Sequence, residues 1–240
     1  MRQVVILVEG QTEETLVNEV LGPAASMRGT YVTPVVVTTS ATPTGAHHGG
    51  GHWKHYHAKL QALLRAPHWH RVGLLLDYYQ YPKGAPGREA ATPSESLDSA
   101  GRQATLMAAL RAEYPDPRFR PLVVLHEIEA LVLAAIDAGQ GDGLLPRQGL
   151  AELRQTITRA DGPERVNNGP STAPSKRLEA ADPGYMKTVT GPLLVSEAGL
   201  PAILERCPTF KAWWEALLAC PATPPPTPVV TALTGVSRAA

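Results

Sequence analysis

Acidic side chains follow three apolar stretches of the sequence at the points where those stretches end. They are Glu9, Asp77, Glu127 and Glu129, and Glu13 comes one helical turn after Glu9. If the stretches are parallel strands of one sheet, their carboxyl ends meet at one edge, so we expect the acids to lie together. Carboxylates gathered in this way repel one another unless a cation neutralises them. Hard oxygen ligands suit Mg²⁺ or Mn²⁺, and such a site serves metal-assisted phosphoryl transfer.

Any one of these acids also has an ordinary structural explanation. Acidic residues stabilise the first turn of a helix and stay solvated there. This alternative explains the whole group less well than it explains one acid, because it would have to account for every acid lying at the same edge of the sheet. Of the last pair we favour Glu127 as the site acid and Glu129 as the second, since residues two apart point the same way in an extended segment. In a helix, His126 and Glu129 would share a face instead.

The segments that must position the acids alternate between strand and helix patterns. Continuous apolar runs predict strands, and apolar residues three to four apart predict helices. Pro34 places the second strand near an edge of the sheet or marks the start of a strand. The alternation predicts an α/β fold, with a mainly parallel four-stranded sheet flanked by helices. The predicted strands are 3–8, 31–39, 71–78 and 121–125, and the predicted helices are 12–21, 56–65, 99–114 and 130–136.

Beyond residue 138 the sequence pattern becomes helical and irregular. Helical spacing recurs at 150–157, 200–205 and 210–219, which predicts a helical lobe packed on the sheet. The last segment is rich in Pro and Thr, a composition typical of disordered or extended chain. The expected division is 1–138 for the α/β core, 139–220 for the lobe and 221–240 for the Pro-rich segment.

Composition excludes several classes of protein. The 240 residues include 22 Lys and Arg against 22 Asp and Glu, so a polybasic coat for non-specific DNA binding is excluded. A hydrophobic content of 43% supports a real core. Cys207 and Cys220 make neither a disulfide framework nor a zinc ribbon. No stretch approaches the ~20 apolar residues of a membrane span, so a soluble, cytoplasmic protein is expected.

Basic residues late in the chain are candidates to act beside the acids. Lys176 and Arg177 lie in a stretch that is rich in Pro, Ser and Asn and that reads as a loop. A lysine beside a metal site neutralises a phosphate or a leaving group, and an arginine suits bidentate phosphate contact. The alternative is a solvated pair at a helix start. Tyr185 and Lys187 are weaker candidates.

Five histidines fall in the segment HHGGGHWKHYH, which covers residues 47–57. Imidazoles bind Zn²⁺ readily, but the spacing matches no closed zinc site. His48 and His52 would align on a helix, which the three intervening glycines break. We interpret the segment as a glycine loop that leads into a helix and could offer backbone N–H groups or Lys54 to a phosphate backbone.

Several blocks of the sequence carry a resemblance to a known family. They are VEGQTEE, LLLDYYQYP, HEIEAL, NNGPSTAPSKRL, Tyr185-x-Lys187 and CPTFKAWWEAL, which together span about residues 3–218. The chain resembles the domain-of-unknown-function family 4276, which is itself similar to TOPRIM-type proteins that include the overcoming-lysogenization-defect nucleases. HEIEAL together with APSKR is the most specific part of the resemblance.

The resemblance implies a TOPRIM-like fold and metal site. Glu9 would match the acid that ends the first strand, Glu13 the second acid four residues on, and Asp77 the first Asp of an Asp-x-Asp pair. Tyr79 stands where the second Asp is expected, so one ligand is missing unless Glu127 or Glu129 replaces it. Such proteins are often encoded beside ATPases of the ABC/SMC type and are associated with phage defence. The absence of a GxxxxGK[ST] motif means that the ATPase would be a separate chain.

The expected function is that of a TOPRIM-like bacterial nuclease that uses Mg²⁺ or Mn²⁺ to hydrolyse DNA or RNA. The expected partner is an ATPase, a homo-oligomer is possible, and no contact with a membrane is expected. The expected catalytic residues are Glu9, Glu13, Asp77, Glu127 and Lys176, and the expected metal ligands are Glu9, Glu13, Asp77, Glu127 and Glu129. One alternative is a non-catalytic TOPRIM-like partner or sensor subunit of an ATPase complex, which Tyr79 and the neutral charge favour. Another is phosphoryl transfer on a small nucleotide or tRNA.

Overall fold

A sheet of four parallel strands forms the centre of the protein. The structure is a computed structural model, and it describes residues 1–42, 45–48, 51–91, 98–125, 127–166 and 172–219. The strands are β1 (Arg2–Val8), β2 (Thr30–Val36), β3 (Thr38–Thr42), β4 (Gly45–His48), β5 (Arg71–Asp77) and β6 (Phe119–Val124). The central sheet has the order β2-β1-β5-β6, and β3 and β4 form a separate antiparallel pair. The expected α/β class and its four-stranded parallel sheet are confirmed.

Helices connect the strands and continue after the last one. They are α1 (Gln11–Leu16), α2 (Gly22–Ser26), α3 (Trp53–Arg65), α4 (Ser99–Glu113), α5 (Ala130–Asp137), α6 (Arg147–Arg159), α7 (Pro174–Ala181), α8 (Thr190–Ala198), α9 (Leu200–Arg206) and α10 (Pro208–Leu218). A π-helical turn, Val17–Leu21, joins α1 to α2. Among the described residues, no helix combines the length and the apolar character that crossing a membrane requires.

Three strands of the sheet, β1, β5 and β6, bury side chains on both of their faces. In β1, Ile6 and its even-numbered neighbours join one apolar cluster, and Val5 and Leu7 join the other, as the two-residue repeat of a strand dictates. The first cluster contains α1, α2 and the helices from α5 onward, and the second contains α3 and α4. Runs of consecutive apolar residues in the strands are the consequence, because both faces of a parallel sheet are covered.

The C-terminal helices pack directly on the sheet. Gly73 of β5 lies under α10, and a Cβ atom placed there would stand 3.3 Å from Leu217 and 3.4 Å from Trp213. The Trp213 indole donates a hydrogen bond of 2.9 Å to the Arg120 carbonyl in β6. The residues from 139 to 219 that the structure describes therefore share one apolar core with the sheet. The segment predicted as disordered, 221–240, lies outside the described residues.

Three local predictions were wrong, each for a physical reason. Gly22-Pro23 does not end the first helical segment, because Pro23 falls in the first turn of α2, where no amide hydrogen is needed. The strand predicted over 31–39 ends at Val36, and a hairpin of β3 and β4 follows, in which the threonines of β3 favour extended backbone. Lys176 lies on α7 rather than in a loop, with Pro174 at the first helical position. The edge position predicted from Pro34 is confirmed, since β2 is an outer strand.

Candidate active site

Five carboxylates gather at the carboxyl edge of the sheet. Glu9 follows β1, Asp77 ends β5, and Glu127 and Glu129 follow β6, so three adjacent strands deliver them to one place. Burial raises the pKa of Asp77 well above its ordinary value, and the charges of Glu13, Glu129, Glu9 and Glu127 raise it further. All four glutamates are therefore near enough to repel the Asp77 carboxylate. The convergence predicted from the strand ends is present in the structure.

Backbone amides hold two of these carboxylates in place. The Ile128 N–H donates a hydrogen bond of 3.0 Å to Oδ1 of Asp77, which ties the end of β5 to the segment after β6. The Ser175 N–H donates a bond of 2.9 Å to Oε2 of Glu127. Ser175 lies in the first turn of α7, where backbone amides have no partner within the helix. The block APSKR thus contributes a backbone donor to the site.

Glu13 is positioned by the start of α1. Its Oε2 accepts a hydrogen bond of 3.0 Å from the Gly10 N–H, which is the bond that a glutamate at this helix position makes to the capping residue. The side chain is buried, and burial is the main cause that raises its pKa from 4.5 to about 7. The charges of Glu9 and Glu129 raise it further. Glu13 is therefore close to half-protonated near neutral pH.

A lysine enters the cluster from the loop between α7 and α8. The Lys187 ammonium lies 3.1 Å from Oε1 of Glu129, which is 3% exposed. Burial raises the pKa of Glu129, and the Lys187 charge opposes that rise. Burial works against the charge on Lys187, but Glu129 and Glu127 outweigh it and raise the Lys187 pKa. The two groups therefore form an ion pair within the cluster, although Lys187 was only a weak candidate in the sequence.

Lys176, the lysine favoured by the sequence analysis, does not contact the acids. Its ammonium lies 2.7 Å from Oε2 of Glu179, on the exposed side of α7. The neighbouring Arg177 donates to the Thr172 carbonyl. The helical conformation of this segment explains why Lys176 is not at the site. Consecutive residues of a helix point in different directions, so the Ser175 amide faces Glu127 while the Lys176 side chain faces solvent. The structure thus places Lys187, and not Lys176, beside the carboxylates.

Three tyrosines lie near the cluster, and the sequence analysis did not single out one of them, Tyr56. Burial raises the pKa of Tyr56 on α3, and its next cause is the nearby Glu9 carboxylate. Tyr185 is buried beside Glu129, whose charge adds to burial in raising the Tyr185 pKa. Tyr79, which stands where a second Asp was expected, is half-buried and is close enough to Glu127 for that charge to raise its pKa. No local pattern marks Tyr56, since its helical spacing fits an ordinary core residue.

The histidine segment leads into a helix, as predicted. His52 precedes α3, and the His57 ring shares a hydrogen bond with the Tyr114 hydroxyl in the second apolar cluster. The side chains of His47 and His48 lie outside the described part of the structure, as does all of His126. Whether His126 shares a face with Glu129 therefore stays a prediction.

The carboxylates fit a hard divalent cation in the type and number of their oxygens. They repel one another strongly, which a cation would relieve. However, within the ranges that the structure describes, no three His, Cys, Asp or Glu residues stand as a group that could hold a metal ion. The donor set therefore has the right chemistry, but binding would require the side chains to move closer together.

We expect the metal-free protein to lose stability as the pH rises from about 4.5 to about 7. The ordinary pKa of Glu13 is 4.5 and the folded state raises it to about 7, so over this range the native state holds a proton that the unfolded state has released. The stabilisation is complete below the lower pKa and is lost as the pH passes the upper one. Asp77 acts in the same direction.

The measurement is the melting temperature in EDTA, with a fall of roughly 5 °C expected between about pH 5 and about pH 8. Glu13→Gln is the comparison, because it removes the titrating group while an amide oxygen can still accept from Gly10. A wild-type melting temperature that followed the Glu13→Gln curve over this range would contradict the prediction.

The fold and the site define a parallel α/β protein with a cluster of five carboxylates at the carboxyl edge of its sheet. The chain belongs to the family described as a domain of unknown function (DUF4276), whose profile matches residues 8–218. The family inferred from the sequence blocks is therefore confirmed, and the TOPRIM-like part of that resemblance stays a prediction. No curated protein and no solved structure matches the chain.

Proposed function

We propose that this protein is a metal-dependent nuclease that hydrolyses phosphodiester bonds of DNA or RNA with Mg²⁺ or Mn²⁺. The observation that carries the proposal is the convergence of Glu9, Asp77 and Glu127 at the carboxyl edge of three adjacent strands. Carboxylates gathered at one edge disfavour one another's charge at a cost to stability, and such arrangements are candidates for a functional site. Phosphoryl transfer is the chemistry that such oxygen-rich sites serve most often.

The residues divide into three roles in this proposal. Glu9, Asp77 and Glu127 hold the metal, which supplies charge neutralisation and activation of water. Glu13 has a pKa of about 7, so its Oε1 atom is suited to take a proton from a water near neutral pH, while Oε2 is engaged by Gly10. Lys187 places a positive charge beside Glu129, where it stabilises charge on a phosphate oxygen. This is the role that the sequence analysis gave to Lys176.

The wider context of the protein is part of the same proposal. The sequence has no GxxxxGK[ST] motif, so any ATP hydrolysis would come from a separate chain. The family resemblance supports an ABC/SMC-type ATPase as that partner and phage defence as the process, in the cytoplasm of a bacterium. The net charge of zero supports delivery of nucleic acid by a partner, rather than capture through a general electrostatic attraction.

A second candidate function is that of a non-catalytic subunit of an ATPase complex. Its support is that bonds within the protein already engage the acids: Lys187 pairs with Glu129, and backbone amides bind Asp77 and Glu127. Tyr79 adds to this support, because it occupies the place of an expected ligand. In this candidate, the ammonium of Lys187 takes the place of a metal ion beside the carboxylates.

Titration with Mn²⁺ by calorimetry, together with plasmid and RNA cleavage assays, separates the two candidates. For the nuclease, we expect Glu9→Gln to weaken Mn²⁺ binding at least about tenfold and to slow cleavage at least about 100-fold. Glu19→Gln is the control, because Glu19 is an exposed acid on the π-helical turn that follows α1. Mn²⁺ binding without cleavage would indicate a missing partner. No Mn²⁺ binding in the wild type would favour the non-catalytic subunit.

A further inference from the structure

A basic cleft lies at the opposite edge of the sheet from the acids, where β5 and β6 begin. It has a volume of about 480 Å³, and its walls include Trp69, His70, Arg71, Arg118 and Arg120. The cleft is separated from the acidic cluster by the length of β5, which is seven residues or about 20 Å. It is therefore a distinct feature, and neither role proposed for the acids uses it.

Arg71 is a buried cation that the described residues do not neutralise. It is only 6% exposed, and its guanidinium donates to two backbone carbonyls, at 2.9 Å to His70 and 3.2 Å to Ala219. Its Nε atom is buried and has no hydrogen-bond partner. Within the described ranges no carboxylate forms an ion pair with it. A buried charge is costly unless it is paired, so an anion beside this arginine would stabilise the protein.

The neighbouring arginines add to the positive charge. Burial lowers the pKa of Arg120, and the charges of Arg71 and Arg111 lower it further, which shows that cations crowd together here. Asp116 offsets this in part, but its carboxylate is engaged by Arg118 at 2.8 Å. In its described hydrogen bonds Arg120 donates only through Nη1, so its other donors remain for a ligand.

The part of the chain outside the described ranges offers few acidic side chains as a counter-ion. Among the residues outside the described ranges, Glu95 is the only acidic one, and the segment from 220 to 240 contains neither Asp nor Glu. That segment follows Ala219, whose carbonyl contacts Arg71, and its sequence has no acidic side chain to pair with this cation. An anionic ligand would supply the counter-charge.

We propose that the cleft binds the phosphate of a nucleotide, with the arginines on the phosphate and the base against Trp69. Guanidinium groups match phosphate oxygens in geometry and in charge. Trp69 is half-buried on the wall of the cleft, with its ring 4.3 Å from the His68 ring, and aromatic side chains of this kind stack on bases. Either a free nucleotide or the phosphorylated end of a nucleic-acid strand presents this chemistry.

The test is a titration of Trp fluorescence with AMP, adenosine, inorganic phosphate and a 5′-phosphorylated oligonucleotide. EDTA is present throughout, so the result does not depend on metal binding by the acids or on the proposed nuclease activity. We expect AMP to bind saturably and phosphate to compete with it. Adenosine, which lacks the charge, should bind at least about tenfold more weakly. An oligonucleotide that binds more tightly than AMP identifies a strand end as the ligand, and equal affinity identifies a free nucleotide.

Arg120→Gln is the main variant, because Arg120 is half-exposed and its loss leaves the core intact. We expect AMP binding to weaken roughly ten- to a hundredfold. Trp69→Phe should remove most of the fluorescence response while phosphate binding persists. Arg147→Gln is the control, since Arg147 is an exposed arginine at the start of α6. Equal AMP affinity in Arg120→Gln and the wild type, equal affinity for adenosine and AMP, or no saturable AMP binding would overturn the proposal.

Discussion

Asp77→Asn is expected to make the metal-free protein more stable and at the same time to abolish metal-dependent cleavage. The asparagine keeps the oxygen that accepts from Ile128, so the local backbone bond survives. It removes the charge that burial and four glutamates disfavour in the native state. Because the pKa of Asp77 is raised on folding, the gain in melting temperature should be large near about pH 8 and should vanish below about pH 4.

Cleavage should fall at least about 100-fold in the same variant, because a carboxylate that holds the metal is lost. Melting curves in EDTA and initial cleavage rates with Mn²⁺ measure the two effects. Asp98→Asn is the matched control: the Asp98 carboxylate accepts from the Gly101 N–H at the start of α4, and asparagine caps a helix equally well. If Asp77→Asn lowered the melting temperature at about pH 8, the repulsion on which the proposed site rests would be refuted.

Gly149→Ala is expected to destabilise the protein by about 3 kcal/mol or more. Gly149 lies in α6 where this helix crosses the end of α7, and a Cβ atom there would stand 2.2 Å from the Ala181 carbonyl oxygen. Since that oxygen belongs to backbone, the contact is relieved only by moving the two helices apart. The melting temperature should fall by roughly 6–12 °C for a domain of this size.

The same substitution should also affect the acidic cluster. A displaced α7 carries the Ser175 amide away from Glu127, so metal binding should weaken even though Gly149 lies outside the site. Ala151→Ser is the control, because it adds one atom on the exposed side of the same helix. A melting temperature for Gly149→Ala within about 2 °C of the control would mean that the helices do not cross so closely.

The acidic cluster could be predicted without the structure because it follows from a general property of parallel sheets. Each of the acids comes just after a strand or within the first turn of the next helix, and parallel strands bring their carboxyl ends to one edge. Apolar runs such as the one that ends at Val8 marked the strands, since both faces of the sheet are buried. Local pattern was therefore sufficient for the fold class and for Glu9, Asp77 and Glu127.

The partners of those acids depend on contacts between residues far apart in the chain. Glu127 meets the Ser175 amide 48 residues away, and Glu129 meets Lys187 rather than any residue of Lys176-Arg177. The orientation of α7 decides which of its groups face the acids. The sequence pattern could not give that orientation, because it indicated a loop in this segment. The cavity beside Arg71 and the crossing at Gly149 are likewise products of how the helices pack.

The sequence by itself thus determined the alternation of strands and helices, the parallel sheet and the edge that carries the carboxylates, because all of these depend on spacing over a few residues. Only the tertiary structure decided the strand order, the lysine that joins the acids and the clustering of arginines at the far edge. Those features depend on the relative placement of whole elements, which local periodicity does not encode.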